Sequence, residues 1–280
     1  MTDSYVDLYL NTAFAQNDLV PIITLMFLFF GRILPIIALV PVFGGRLMPR
    51  PAKVAFAISL FAIFLPQLIS ITKTPLTFNI SMAGLMLKEV FIGALIGFFI
   101  SIPFSIVQNC GILIDHQRGG SSLMVNDPSM QNQSSPLGLL YNYMLIYLFF
   151  SIDGPFLILE MISNSYQAVP PDVMLNPAIF SPESPILSYA IRIVGNVMIF
   201  STQLAAPALI MVLMTDFFLG IANRLAPQVQ ITFLGMPLKS LLALTIVFFG
   251  WDLFTHEIVL VTQRAMGYLT FVIQQLAPVK

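Results

Sequence analysis

The ionisable side chains of this 280-residue chain are few, and several of them interrupt apolar sequence. Asp153, Glu160, Asp216 and Asp252 lie in or at the edges of hydrophobic stretches, and Arg32 stands alone among apolar neighbours. A charge inside a membrane span is expensive and marks an ion or proton path by default. Proton-coupled transport through buried acids is therefore one chemistry these residues support. Against it, the acids fall near the ends of their stretches, where water is close. Arg32 must face protein, water or a carboxylate, and the sequence does not name the partner. A structural ion pair is the alternative to a conducting role.

Other chemistries find no footing. His256-Glu257 begins like a metalloprotease motif, but Leu260 stands where the second histidine is required. A zinc site takes three or four ligands, and His116 and His256 are the two histidines present. A glycine-flanked serine elbow, a Walker loop and a dinucleotide-binding glycine fingerprint are all missing. An intramembrane enzyme would need a nucleophile–base pair or a metal set, so no enzymatic activity and no cofactor are expected. Cys110 is the single cysteine, which leaves no intrachain disulfide. A formal net charge of −1 lacks the basic patch of a nucleic-acid binder.

The elements that must position these groups are dictated by lipid. Hydrophobic residues make up 58% of the chain and charged residues 9%, against roughly 25% charged in an ordinary soluble domain. Mean hydropathy is +0.90. A bilayer core of about 30 Å takes about 20 apolar residues per helix. Charge-free windows of that order run through 54–72, 90–114 and 193–215. Residues 19–43 are interrupted only by Arg32, 137–162 carries Asp153 and Glu160, and 238–263, the weakest, holds Asp252, His256 and Glu257. Helices satisfy their own backbone in lipid, and the alternation of an outer-membrane barrel is missing. The fold class is all-α: a polytopic membrane protein with about six long helices. Pro35, Pro66, Pro103, Pro155 and Pro207 should kink those helices. Gly93 and Gly97, a small-xxx-small pair, allow another backbone to approach closely, from within the chain or from another subunit.

No repeat or charged linker divides the chain, so residues 1–280 read as one membrane unit. A softer boundary falls at 164–185, where Pro170, Pro171, Pro177, Pro182 and Pro185 predict an extended loop between four helices and a final pair. Residues 1–18 carry Asp3, Asp7 and Asp18 without a basic residue, the wrong sign for a cleavable leader. The loops 44–53, 108–136 and 216–239 carry six Lys and Arg (Arg46, Arg50, Lys53, Arg118, Arg224, Lys239), against four on the other side (Lys73, Lys88, Arg264, Lys280). This bias puts both termini outside the cytoplasm. The alternative for Lys88 and Arg264 is simple snorkelling at helix ends.

The stretch from Gln108 to Pro136 is the least lipid-like piece between two long helices. It is too polar to cross lipid, yet Ile112, Leu113, Ile114, Leu123, Met124, Val125 and Met130 make it too apolar for a solvated tether. Loops of this length in a compact unit are usually functional or disordered. Irregular backbone at membrane depth must be buried in protein or line a wet cavity. A loop folding back into an aqueous path is the favoured reading, with a cytoplasmic connector as the alternative. Asp115 and Arg118 stand at helical spacing and can pair, as a prop rather than a site.

Three blocks of residues resemble one family. The first is Arg32-Ile-Leu-Pro35, then Pro41-Val-Phe-Gly-Gly45 and Met48-Pro-Arg50. The second is Glu89-Val-Phe-Ile-Gly93-Ala-Leu-Ile-Gly97-Phe98, leading to Gln108-Asn-Cys-Gly-Ile-Leu-Ile-Asp115, Gln117-Arg-Gly-Gly120 and Asp127-Pro128. The third holds Pro207, Asp216, Gly220, Arg224, Pro227-Gln228, Phe233 and Pro237-Leu-Lys239. In this order and spacing, over about residues 20–245, they resemble the inner-membrane T-type export protein of bacterial type III secretion systems (the SctT/FliR family). The sequence departs at Val-Gln-Ile-Thr after Pro227-Gln228, and in the individual loops 119–136 and 164–185.

The resemblance implies a structural subunit of the export gate, multi-pass in the inner membrane within the secretion basal body. It implies R-type, S-type, U-type and V-type membrane partners and, transiently, unfolded secretion substrates. Residues 1–185 would be an R-type-like four-helix part and 186–280 an S-type-like hairpin. The 108–136 loop becomes a candidate pore plug, with Gln108, Gly111, Asp115, Gln117, Arg118, Gly119 and Gly120 as gating residues. Arg32, Gly93, Gly97, Asp216, Arg224, Pro227 and Lys239 are the expected assembly contacts. Proton-coupled secondary transport remains the rival.

Overall fold

The computed structural model describes residues 19–43, 48–73, 80–119, 125–127, 132–175, 185–225 and 231–276. The chain is an all-α polytopic membrane protein. Among the described residues its helices are α1 (Leu19–Leu39), α2 (Arg50–Ile71), α3 (Ile80–Gln117), α4 (Pro136–Ser151), α5 (Gly154–Ala168), α6 (Pro185–Leu225), α7 (Ile231–Phe249) and α8 (Trp251–Leu276). A 3₁₀ turn at Pro41–Phe43 follows α1. Two three-residue strands, β1 (Val125–Asp127) and β2 (Asn132–Ser134), pair antiparallel between α3 and α4.

The local causes are legible. Pro41 follows the end of α1, and proline disfavours helix in the residue before it. Pro136 occupies the first turn of α4, where a missing N–H is harmless. The Ser135 hydroxyl caps that turn by accepting from the Gly138 N–H. Val20–Leu39, Arg50–Ile71, Met82–Gln117 and Ile191–Leu225 are each long and apolar enough to cross a membrane, whereas α4 with α5, and α7 with α8, are long and apolar enough when each bent pair is taken as one span.

Those pairs correct the expected single helices at 137–162 and 238–263. The first breaks at Asp153, whose φ of 57° is left-handed, and Pro155 starts α5 rather than kinking its interior. The second breaks at Gly250 and bends by 66°. Pro35, Pro66, Pro103 and Pro207 do lie inside helices. So does Pro237, because α6 and α7 run far into the expected loop 216–239. The proline-rich boundary is likewise shorter than expected, since α5 continues to Ala168 and α6 begins at Pro185.

Two compact units share these helices. The first comprises residues 1–101, 153–189 and 266–280, the second 102–152 and 190–265. In the first, Phe29 of α1 meets Phe61 and Phe64 of α2 and stacks on Tyr166 of α5 at 5.8 Å. Leu28, Ile33, Leu68, Ile92, Ile96 and Ile162 complete a buried interior. A Cβ on Gly93 would collide with the Arg32 carbonyl, and one on Gly97 would lie 3.2 Å from Ile36 Cα. The small-residue face of α3 is thus spent on α1.

In the second unit Phe104 meets Phe149 at 5.9 Å, and Tyr141 meets Phe254 at 4.5 Å. Gly111 lies directly against the Gly138 backbone, where a Cβ would be 2.5 Å from Gly138 Cα. Helix α6 buries far less of its apolar surface than α3 does.

Candidate functional site

Burying a charge in an apolar interior is tolerable only when it is paired and hydrogen-bonded. Among the described residues each unit contains one cluster that meets this condition.

In the first unit Arg32 rises from α1 and is fully enclosed. Its Nε donates to Glu89 Oε2 at 2.5 Å and its Nη2 to Oε1 at 2.9 Å, a bidentate fork. Nη1 donates to Ser165 Oγ at 3.0 Å, and Nη2 also reaches the Val169 carbonyl at 2.9 Å. The guanidinium lies 3.9 Å above the Tyr166 ring, a cation–π contact. Lys88 is buried beside it, with Nζ 2.8 Å from Glu89 Oε1. The same ammonium donates to the carbonyls of Pro170, Pro171 and Val173 at 2.8, 3.0 and 2.9 Å. Lys88 therefore does not snorkel; it pins the turn after α5. Two cations share one carboxylate, and the surplus charge rests on backbone dipoles.

In the second unit the centre is Asp115, near the end of α3. Its Oδ1 accepts from Arg118 Nε at 2.6 Å. Its Oδ2 accepts from the Ser135 hydroxyl at 2.5 Å and from the Leu137 N–H at 2.9 Å. Arg118 Nη1 reaches Ser240 Oγ of α7 at 2.8 Å. Asp115 and Arg118 are both buried. One carboxylate thus ties the last turn of α3 to the first turn of α4, at the two ends of the intervening connection. Gly119 follows at φ 84°, a left-handed conformation that favours glycine.

This geometry corrects the expected loop 108–136. Gln108, Gly111, Asp115 and Gln117 are helical, because α3 runs on to Gln117. Of the proposed gating residues, Asp115 and Arg118 form the clamp, Gly119 is the turn beside it, Gly111 is helix packing and Gln117 is exposed. The Asp115–Arg118 pair forms as the spacing suggested, but buried. Gly120 lies outside the described residues, as does Pro227.

The expected assembly contacts divide. Arg32, Gly93 and Gly97 are buried and make their contacts inside the chain. Lys239 of α7 pairs with Asp216 of α6, both partly exposed. Arg224 is exposed near the end of α6. Asp153, Glu160 and Asp252 are exposed rather than buried. Among the described residues no three His, Cys, Asp or Glu side chains converge as metal ligands.

Sequence reasoning did not join Glu89 to Arg32, left Lys88 at a helix end, and missed Ser135, Tyr166, Ser165 and Ser240. A signal existed for the first: an Arg in one span demands a carboxylate in another, and Glu89 stands in the middle of a long apolar run once Lys88 is no longer taken as a helix end.

Comparison with known proteins gives this architecture its relatives. The profile of bacterial export proteins, family 1, matches residues 23–265. The chain is similar to Yop proteins translocation protein T of Yersinia pestis, 33% identical over 171 residues, 60% of this chain and 64% of that protein. The match thus spans a little under two thirds of that relative's length. It is similar to the secretion system apparatus protein SsaT of Salmonella typhimurium, 31% identical over 189 residues, 68% of this chain and 71% of that one. It is similar to the flagellar biosynthetic protein FliR of Pectobacterium carotovorum, 26% identical over 225 residues, 80% of this chain and 83% of the relative. With the family profile covering both buried clusters and all but the ends of the chain, this polytopic protein belongs to the bacterial export proteins of family 1, the T-type and FliR proteins of type III export.

Proposed function

We propose that the chain is a structural, non-enzymatic subunit of a type III export gate in the bacterial inner membrane. It joins R-type, S-type, U-type and V-type membrane partners at the start of the path taken by unfolded substrates. Residues 1–185 serve as the R-type-like part and 186–280 as the S-type-like hairpin. Of the expected plug 108–136, the non-helical segment from Gly119 to Ser134 helps plug the closed path.

The observation that carries the plug is the Asp115 clamp. A plug must be displaced without dismantling the helices that carry it. Here the two ends of the segment are fixed on one buried carboxylate, through Arg118 on one side and Ser135 and Leu137 on the other. Between them the chain begins with a glycine turn, the kind of low-stability element from which moving parts are drawn. Proton-coupled transport is less well supported: Glu89 and Asp115 are held by basic partners, and Asp153 and Glu160 are exposed.

The test is purification from membranes in mild detergent with mass spectrometry, joined to a leak assay. Several small polytopic partners should co-purify with the chain. A deletion of residues 120–124 should still assemble but admit ions. A chain that purifies alone removes the subunit reading, and an intact seal in the deletion removes the plug.

A further inference from the structure

Glu257 lies within the α7–α8 pair, half-buried, and among the described residues it has no ion-pair or hydrogen-bond partner. Glu89, Asp115 and Asp216 each have a basic partner. An ionisable group left unpaired in such a segment calls for a ligand or a path. Glu257 faces a half-open cavity of about 300 Å³ within the second unit. Its walls are apolar and include Tyr141, Leu204, Pro207, Ala208 and Phe254. An apolar cavity of about 150 Å³ already holds a benzene-sized molecule.

Two features of the lining define what fits. Glu257 supplies a carboxylate. Pro207 has no N–H for the carbonyl one turn earlier, that of Gln203, which also lines the cavity. The lining therefore offers acceptors, and it includes no Lys or Arg. A cationic group with several N–H donors complements it, and an anionic head does not. The apolar walls suit a flexible hydrocarbon chain.

We propose that this cavity is a lipid site. It takes part of an acyl chain against Tyr141, Leu204 and Phe254, and the primary ammonium of an aminophospholipid on Glu257 and the Gln203 carbonyl. The site is independent of the plug and makes no use of the Asp115 clamp.

The chain carries its own reporter. Trp251 is the single tryptophan. It adjoins the lining residue Gly250, and its ring lies 6.4 Å from that of Phe254. The full-length chain is reconstituted in vesicles, and Trp251 fluorescence is titrated with acyl-brominated phosphatidylethanolamine or acyl-brominated phosphatidylglycerol. The ethanolamine lipid should reach half-maximal quenching at about threefold lower mole fraction, the scale of one partly exposed ion pair. Glu257→Gln should bring the two curves together. Ala208→Phe, which fills the cavity, should weaken quenching by both lipids, whereas Leu213→Phe on the exposed face of α6 should not. Circular dichroism of each variant reports whether it is folded. Coincident curves in the unaltered chain, or quenching in folded Ala208→Phe equal to that of the unaltered chain, would overturn the proposal. A photo-crosslinking residue at Leu253, on the cavity wall, should label lipid in cells; labelling of a partner protein alone would give the cavity to a protein side chain.

Discussion

Arg32 of α1 and Glu89 of α3 meet as a bidentate pair, at 2.5 and 2.9 Å, with neither side chain reached by solvent. Lys88 shares the same carboxylate. The two halves of the pair are therefore not equivalent. Glu89→Gln leaves two cations facing a neutral amide and should cost about 3–5 kcal/mol, the usual penalty for stranding buried charge. Arg32→Leu leaves Glu89 still paired with Lys88 and should cost less. Thermal midpoints in detergent should fall in that order; the reverse order would mean that Lys88 does not share the carboxylate.

The glycines of α3 and α6 make opposite predictions. A Cβ on Gly93 would run into the Arg32 carbonyl, so Gly93→Ala should destabilise the chain by about 1–3 kcal/mol, as overpacking does. Nothing stands within 4 Å of a Cβ on Gly220. Gly220→Ala should leave the isolated chain as stable or raise it by up to about 1 kcal/mol through helix propensity. Expression level and thermal midpoint check both. A normal Gly93→Ala would mean that α1 and α3 do not touch there.

The clamp at the end of α3 predicts a leak with an internal scale. Asp115→Asn weakens the bonds that join α3 to α4 and strands Arg118, so it should admit ions while the chain still assembles. Ser135→Ala removes a helix cap worth about 1 kcal/mol and one hydrogen bond to Asp115, and should leak less. Conductance or dye uptake in cells ranks the two. A sealed Asp115→Asn would separate the clamp from gating.

Asp216 and Lys239 pair within the chain and remain partly exposed. Such a pair contributes less than about 1 kcal/mol to stability. Asp216→Lys should therefore barely move the thermal midpoint, yet should weaken recovery of partners if this region is an assembly contact. Exchanging both residues, Asp216→Lys with Lys239→Asp, restores the internal pair. Continued loss of partners in the exchanged form would assign the contact to the outside of the chain; full recovery would assign it to the inside.

How far the sequence could be read depends on which residues hold the fold. The long helices follow from runs of apolar residues, and a run needs no knowledge of its neighbours. Arg32 announced a carboxylate partner, but windows that stop at charges hid Glu89: Lys88 and Glu89 marked the edge of a predicted span, whereas α3 begins at Ile80. The same habit turned Gln108 through Gln117 into a loop. Polarity there serves contacts between distant elements, as Asp115 with Ser135 shows, and a one-dimensional reading has no access to them. Asp153 and Gly250 broke helices that hydropathy joined, because backbone conformation at a single residue leaves little trace in an average over many.

The 57 residues that separate Arg32 from Glu89 also set a clock. At a synthesis rate of about 5–20 residues per second, roughly 3–11 s pass between the two leaving the ribosome. Through that interval α1 enters the bilayer with a guanidinium that has no counterion, at a cost of about 2.5–3.5 kcal/mol on the insertion scale. The surrounding Leu, Ile and Phe of α1 must carry the helix into lipid alone until α3 follows. Membrane insertion of this chain is thus a delayed neutralisation, and a variant without Glu89 would be released from the insertion machinery with its first helix still charged.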